Sequence, residues 1–103
     1  MHVLNFWHTV GDYAEWKKVF DTDPLGREAS GVRRYSIERP VDDESTVVGE
    51  LEFDSLREAE TFAGRLQELW KGPGGRLVSN AGYRITEVLE QKHFGSESGR
   101  RAA

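Results

Sequence analysis

The sequence predicts an α+β domain built on one antiparallel sheet, and three observations support this prediction. Four short segments have the apolar and aromatic composition of β-strands, and three of them alternate with a two-residue period. Two longer segments repeat apolar residues at helical spacing, and each is preceded by the residues of a helix cap. The elements follow one another as strand, helix, strand, strand, helix, strand.

The first strand is predicted over His2–His8. Leu4 and Phe6 point to one face of this strand, and Val3 and Trp7 point to the other. Apolar residues on both faces are typical of a strand at the centre of a sheet that is covered on both sides.

The first helix is predicted over Tyr13–Asp21. Asp12 stands three residues before Glu15, which is the spacing of a capping box, and apolar residues then recur at helical intervals. Pro24 disfavours continuation of the helix because proline has no backbone N–H to donate. Gly31 ends the connection to the next strand.

A hairpin is predicted from the next two strands, Val32–Arg39 and Thr46–Phe53. Both segments alternate between apolar and polar residues. The link between them, residues 40–45, contains Pro, Asp and Ser, which are the residues of reversing loops. The two strands should therefore pair in antiparallel fashion.

The register of this hairpin is predicted from its side chains. Placing Tyr35 opposite Gly49 collects the apolar residues of both strands on one face. The same register places Arg34 across from Glu50 on the other face, where opposite charges attract. A slip by one residue would mix the two faces.

The second helix is predicted over Leu56–Trp70. Ser55 and Glu58 form a second capping box, and the apolar residues of the segment make a continuous stripe. The Gly-rich sequence Lys71–Gly75 then ends the helix.

The last part of the chain completes the sheet. A short helical turn is predicted around Arg76–Ser79, and the last strand is predicted over Tyr83–Leu89. We expect one domain over residues 1–92. Residues 93–103 are rich in Gly, Ser and Arg without periodicity, so they are expected to form a flexible tail.

This order of elements predicts a ferredoxin-like arrangement. Right-handed crossovers place both helices on one face of a four-stranded antiparallel sheet, with the first and third strands at its centre. The opposite face still carries apolar residues, among them Val3, Trp7 and Val48. A second copy of the chain would cover them, so the sequence predicts a homodimer that pairs sheet against sheet.

The composition excludes several classes of protein. A chain of 103 residues has room for one domain, and a formal charge of −4 is opposite in sign to that of a nucleic-acid-binding module. Without cysteine there is no disulfide, zinc finger, thiol nucleophile or iron–sulfur cluster. No apolar run approaches the roughly 20 residues of a membrane span. We therefore expect a cytoplasmic protein that binds neither nucleic acid nor membranes.

Several segments resemble small bacterial proteins of the dimeric α+β barrel superfamily, which includes the antibiotic-biosynthesis-monooxygenase-like domains. The resemblance lies in His8–Trp16, in Gly31–Val32 and in Glu52–Ser55, and it spans Val3–Glu90. It implies a homodimer whose sheets form a shared barrel, with one small apolar cavity per subunit between sheet and helices. Members include cofactor-free oxygenases, haem-degrading oxygenases, lactone isomerases and cyclases.

The haem-degrading branch of this superfamily resembles the chain only in fragments. That branch uses an Asn on the first strand, a Trp near the third strand and a His on the second helix. Asn5 matches the first of these, but Thr46–Phe53 contains no Trp and Ser55–Trp70 contains no His. The sequence therefore disfavours haem chemistry, and we expect no metal or organic cofactor.

His8 is the predicted catalytic residue. It ends the first strand just before a helix, and a neutral imidazole there could take a proton from an acidic phenol or enol. The alternative is a structural histidine that satisfies backbone groups at the turn. His2 shares the face of His8 but lies about 20 Å away along the strand, so the two histidines cannot share a metal ion.

The ligand-binding residues are predicted to be aromatic. If a cavity exists between sheet and helices, we expect His8 at its polar rim, where an imidazole contributes little packing. The walls are expected to be Phe6, Trp16, Tyr35, Phe62 and Trp70. The alternative is that these side chains form ordinary core.

Two functional hypotheses follow from the sequence. The first is a cofactor-free monooxygenase or cyclase that acts on an aromatic or polyketide-like small molecule, with His8 as the base. The second is a non-catalytic domain that binds a small apolar molecule or serves as an accessory protein. An open cavity reached by His8 favours the first, and a cavity filled by Trp16 and Trp70 favours the second.

Overall fold

The computed structural model describes residues 1–95 and shows four strands and two α-helices. These elements, with a short 3₁₀ turn before the last strand, are β1 His2–Val10, α1 Tyr13–Asp21, β2 Val32–Glu38, β3 Thr46–Phe53, α2 Leu56–Lys71, the 3₁₀ turn Pro73–Leu77 and β4 Val78–Glu87. Most of the predicted tail, residues 96–103, lies outside the described residues.

The four strands form one antiparallel sheet in the order β2-β3-β1-β4. The central position of the first and third strands is as predicted. With the order β1, α1, β2, β3, α2, β4, this topology confirms the ferredoxin-like α+β fold.

Both helices begin where their capping residues predict. The Glu15 N–H donates to Asp12 Oδ1 at 3.2 Å, and the Glu58 N–H donates to Ser55 Oγ at 3.1 Å. Each bond satisfies one of the N–H groups that the first turn of a helix leaves without a helical partner.

The predicted register of the β2–β3 hairpin is wrong by two residues. Tyr35 lies opposite Leu51 rather than Gly49, and Arg34 pairs with Glu52, whose Oε2 lies 2.6 Å from Arg34 Nε. Because side chains alternate with a period of two, this shift leaves residues 34–38 on their predicted faces, whereas an irregularity between Val32 and Arg34 turns Val32 to the face of Tyr35. The pattern of faces therefore does not distinguish the two registers.

β4 begins five residues earlier than predicted and ends two residues earlier. The register of β4 against β1 shifts beside Asn80, whose φ of 55° is left-handed. This irregularity interrupts the alternation at the start of the strand, so the sequence pattern shows only its second half. The predicted helical turn at Arg76–Ser79 is likewise displaced to Pro73–Leu77.

The helices and one face of the sheet enclose the core. β1 buries Leu4, Phe6 and Val10 on this face, and the only buried polar residue among residues 1–95 is His8, at 2% exposure. On the opposite face Trp7 is 37% exposed and lies across Gly82. The structure thus separates a closed face with one buried histidine from an open face with one large aromatic residue.

Candidate functional site

A cavity of about 70 Å³ lies between the helices and the sheet. Apart from His8, Asp23 and Arg27, its walls are apolar. Five of the six predicted site residues line it, namely Phe6, His8, Trp16, Phe62 and Trp70.

Three elements bring these five side chains together. Phe6 and His8 are two residues apart on β1, so they point to the same face of the sheet. Trp16 comes from the buried side of α1. Phe62 and Trp70 lie eight residues apart on α2, about two helical turns, and therefore share its inner face.

The His8 imidazole is enclosed by aromatic rings. Its centroid is 5.5 Å from that of Phe6, 5.2 Å from that of Trp16 and 6.2 Å from that of Trp70. The expectation of a rim position with little packing is wrong, because β1 continues beyond His8 to Val10 and the rings of Trp16 on α1 and Trp70 on α2 pack against the imidazole. His8 is an internal wall of the cavity.

The Nδ1 atom of His8 is buried without a hydrogen-bond partner among residues 1–95. An unpaired buried polar atom costs roughly 1–3 kcal/mol. Burial lowers the pKa of His8 from 6.5 to about 4. The polar backbone of His8 itself raises this pKa, but by a smaller amount. At neutral pH the imidazole is therefore uncharged.

We expect this histidine to make the protein less stable in acid. As the pH falls, the unfolded chain binds the proton near pH 6.5, whereas the folded chain binds it only near pH 4. The free energy of unfolding is therefore undiminished by His8 above pH 6.5, and it falls by about 3 kcal/mol between pH 6.5 and 4. Urea unfolding followed by circular dichroism at intervals of half a pH unit measures this loss.

Tyr35 does not line the cavity, contrary to the prediction. It lies on β2, an edge strand, and is 46% exposed. Phe20 and Arg27 lie beside its ring, with the Phe20 centroid at 5.3 Å and the Arg27 guanidinium at 4.9 Å. Sharing a sheet face with Leu51 does not bring Tyr35 to the cavity, because β3 separates β2 from β1.

The connection between α1 and β2 contributes wall residues that the sequence did not reveal. Asp23, Pro24, Leu25 and Arg27 all line the cavity. This segment has no helical or strand periodicity from which its inward side could be identified. Its one local signal is Pro24, which marks the turn.

The cavity lacks two of the residues that the haem-degrading branch uses. Asn5 belongs to the open face of β1, where its Nδ2 lies 3.3 Å from Thr86 Oγ1, and it does not line the cavity. α2 carries no histidine. Within residues 1–95 no group of three His, Asp or Glu side chains could hold a metal ion.

No helix in this part of the chain is long and apolar enough to cross a membrane.

The fold is similar to that of several solved structures, although no family model and no curated protein match the sequence. A variant of SnoaB, a cofactor-independent oxygenase from Streptomyces nogalater, is 18% identical over 87% of this chain and 94% of its own, with a TM-score of 0.68. The haem degrader MhuD from Mycobacterium tuberculosis is 18% identical over 90% and 100%, with a TM-score of 0.68.

A dimeric ferredoxin-like protein from an uncultured marine organism is 14% identical over 88% of this chain and 97% of its own, with a TM-score of 0.62. At these identities the similarity establishes the fold alone, so the chemistry has to be inferred from the residues of the site. The chain has the ferredoxin-like α+β fold that is shared by the antibiotic-biosynthesis-monooxygenase-like proteins.

Proposed function

We propose that the cavity binds a small planar aromatic molecule with an acidic hydroxyl or enol group and that the protein oxygenates it without a bound cofactor. The observation that carries this proposal is the buried, unpaired Nδ1 of His8. Among residues 1–95 the Nδ1 of His2 is also buried without a partner, but only His8 lines the cavity, where a ligand can supply the missing hydrogen bond and remove a cost of roughly 1–3 kcal/mol.

The chemistry needs one base and an apolar site. His8 is neutral at pH 7 and accepts the substrate proton, which leaves an enolate. Dioxygen adds to the activated carbon, His8 returns the proton to the peroxide anion, and the resulting hydroperoxide loses water. In balance, one methylene group, which a hydroxynaphthalene carries in its keto tautomer, and one molecule of dioxygen give one carbonyl group and one molecule of water, so the substrate supplies all four electrons.

The aromatic walls support this reaction by orientation and exclusion of water. Phe6, Trp16 and Phe62 are each less than 10% exposed. A flat ligand between such rings gains burial and offset stacking. An apolar site also removes the hydration shell that would stabilise the ground-state anion.

The size of the cavity limits the substrate. About 70 Å³ is well below the roughly 300 Å³ at which ordinary small-molecule sites begin. A ligand of two fused rings therefore needs a side chain to move. Trp70 is our candidate, because it is half-buried and stands next to Lys71, the last residue of the helix.

Oxygen uptake tests this proposal. The purified protein, freed of metal by a chelator, is mixed with a hydroxynaphthalene or a hydroxyanthrone in an oxygen-electrode cell under isotopically labelled dioxygen. We expect uptake above the rate without protein, with one labelled atom in the product and one in water. Uptake that equals the protein-free rate for every compound that binds would contradict the oxygenase.

A non-catalytic binding domain is the second candidate, and two observations favour it. A histidine with a pKa of about 4 is a weak base, and the cavity is mostly filled by aromatic rings. This candidate predicts binding of the same aromatic compounds, measured by calorimetry, with no oxygen uptake.

We also propose that two copies of the chain associate through the open face of the sheet. The marine protein with this fold is described as dimeric. Trp7 is 37% exposed on this face, and Val3 and Val48 are only partly buried. Covering such apolar surface contributes roughly 25 cal/mol per Å² before the costs of association.

Sedimentation velocity at micromolar concentration checks the dimer. We expect a species of twice the chain mass for the wild type and a monomer for Trp7→Glu, since the substitution places a charge at the centre of the contact. Glu90→Gln, outside the sheet, is the matched control and should stay dimeric. A monomeric wild type excludes this association.

A further inference from the structure

We propose that Arg27 binds an anionic group of the ligand at the outer end of the cavity, so that the substrate is a planar aromatic acid that carries both a hydroxyl and a carboxylate. This inference rests on the proposed function, because it assigns the second polar contact to the ligand that His8 contacts first.

Arg27 lies at the boundary between the cavity and the protein surface. Its side chain lines the cavity and also a shallow depression on the outside that Tyr35 and Val32 border. The side chain of Arg27 is 16% exposed, whereas His8 is 2% exposed. The cavity therefore has a neutral polar group inside and, at its outer end, the cationic Arg27 with the carboxylate of Asp23 3.5 Å from its Nε.

Two aromatic rings hold the guanidinium in place. It lies 3.9 Å from the centroid of Phe20 and 4.9 Å from that of Tyr35, both within the range of cation–π attraction. Its Nη1 donates to the Phe20 carbonyl oxygen at 2.9 Å. Tyr35, which does not line the cavity, thus acts as a positioning residue for the guanidinium of Arg27, which does.

Most donors of this guanidinium are left without a protein acceptor in the described part of the chain. The bond to the Phe20 carbonyl uses one of five N–H groups. Asp23 Oδ1 is 3.5 Å from Nε, which is too long for a good hydrogen bond, and the same oxygen already accepts the Arg27 backbone N–H at 2.9 Å.

The N–H groups of the guanidinium that have no protein acceptor suit a carboxylate. Arginine presents parallel N–H groups that match the two oxygens of a carboxylate, and such bonds strengthen when water is excluded. With His8 inside and Arg27 outside, the best ligand has its hydroxyl and its carboxylate at opposite ends of a flat ring system. 6-Hydroxy-2-naphthoate has this form, and its methyl ester is an uncharged molecule with the same ring system and hydroxyl.

Calorimetric titration of the full-length chain with these two compounds and with 2-naphthol tests the inference. The variants are Arg27→Met, which keeps a long unbranched stem over Phe20, and Arg27→Lys, which keeps the charge but not the fork. Arg57→Met is the matched control, because Arg57 is exposed on α2 and lines neither the cavity nor the depression. Melting temperatures verify that each variant is folded.

We expect the wild type and Arg57→Met to bind the acid at least 10-fold more tightly than the ester, about the effect of one charge-assisted hydrogen bond. Arg27→Met should reduce this preference below about threefold, and Arg27→Lys should retain part of it. If Arg27→Met does not fold, the role of Arg27 is tested by the ratio of the affinities for acid and ester in the wild type and in Arg27→Lys.

Each other result has one meaning. Equal affinity of the wild type for acid and ester overturns the role of Arg27 while leaving the cavity and His8 in place. A preference that survives in Arg27→Met also overturns it, because another group must then hold the carboxylate. Failure of all three compounds to bind overturns the proposed function itself, and the present inference with it.

Discussion

Replacing His8 by Phe is expected to abolish oxygen uptake while leaving the protein at least as stable as the wild type at pH 7. The base accounts for about 10²-fold or more of the rate in reactions of this kind, and phenylalanine cannot accept a proton. Phenylalanine has a similar flat shape, and the adjacent cavity has room for its additional ring atom. Because the change removes an unpaired Nδ1, we expect a gain of about 1 kcal/mol.

The pH dependence of unfolding provides a second measurement on the same variant. The wild type should lose stability between pH 6.5 and 4, and His8→Phe should not, so the difference between them grows as the pH falls. A variant that retains oxygen uptake shows that His8 is not the base. A variant destabilised by several kcal/mol at pH 7 shows that His8 is bonded in the folded protein.

His8→Ala is less informative than His8→Phe. The imidazole packs against Phe6, Trp16 and Trp70, so alanine would leave a void among three rings. A loss of stability in His8→Ala would follow from that void whether or not the histidine also reacts with a ligand.

Gly49→Ala is expected to be the most destabilising single-methyl change in the sheet. A Cβ at Gly49 would lie 2.1 Å from Cε2 of Phe6, which is directly opposite on β1. Phe6 is 4% exposed and has His8 beside it, so its ring can move only into the cavity. We expect a loss of about 3 kcal/mol, measured by urea unfolding, together with weaker binding of aromatic ligands.

Gly64→Ala is the matched control for this prediction. Gly64 lies on the exposed side of α2 with nothing within 4 Å of an added Cβ, so alanine should stabilise the helix by about 0.5–1 kcal/mol. Phe6→Leu in the Gly49→Ala background should recover part of the lost stability, because it shortens the obstructing ring. If Gly49→Ala is neutral, Phe6 does not lie over Gly49.

Much of the fold follows from local chemistry. The caps at Asp12 and Ser55 determine where both helices begin, because each side chain reaches a backbone N–H three residues ahead. Alternation assigns each strand residue to a face, and the handedness of crossovers orders the strands. Five of the six site residues could be named on the same basis, because the apolar face of each element has to pack against the others.

Only the tertiary structure decided the properties on which the chemistry depends. The register of β2 was open because a shift by two residues preserves every face. Whether His8 lies at a rim or inside depends on how far two helices, separated by more than thirty residues, close over one strand end. The position of Arg27 depends on a connection without periodicity. Burial, pKa and pairing arise from contacts between distant segments, and no local pattern encodes them.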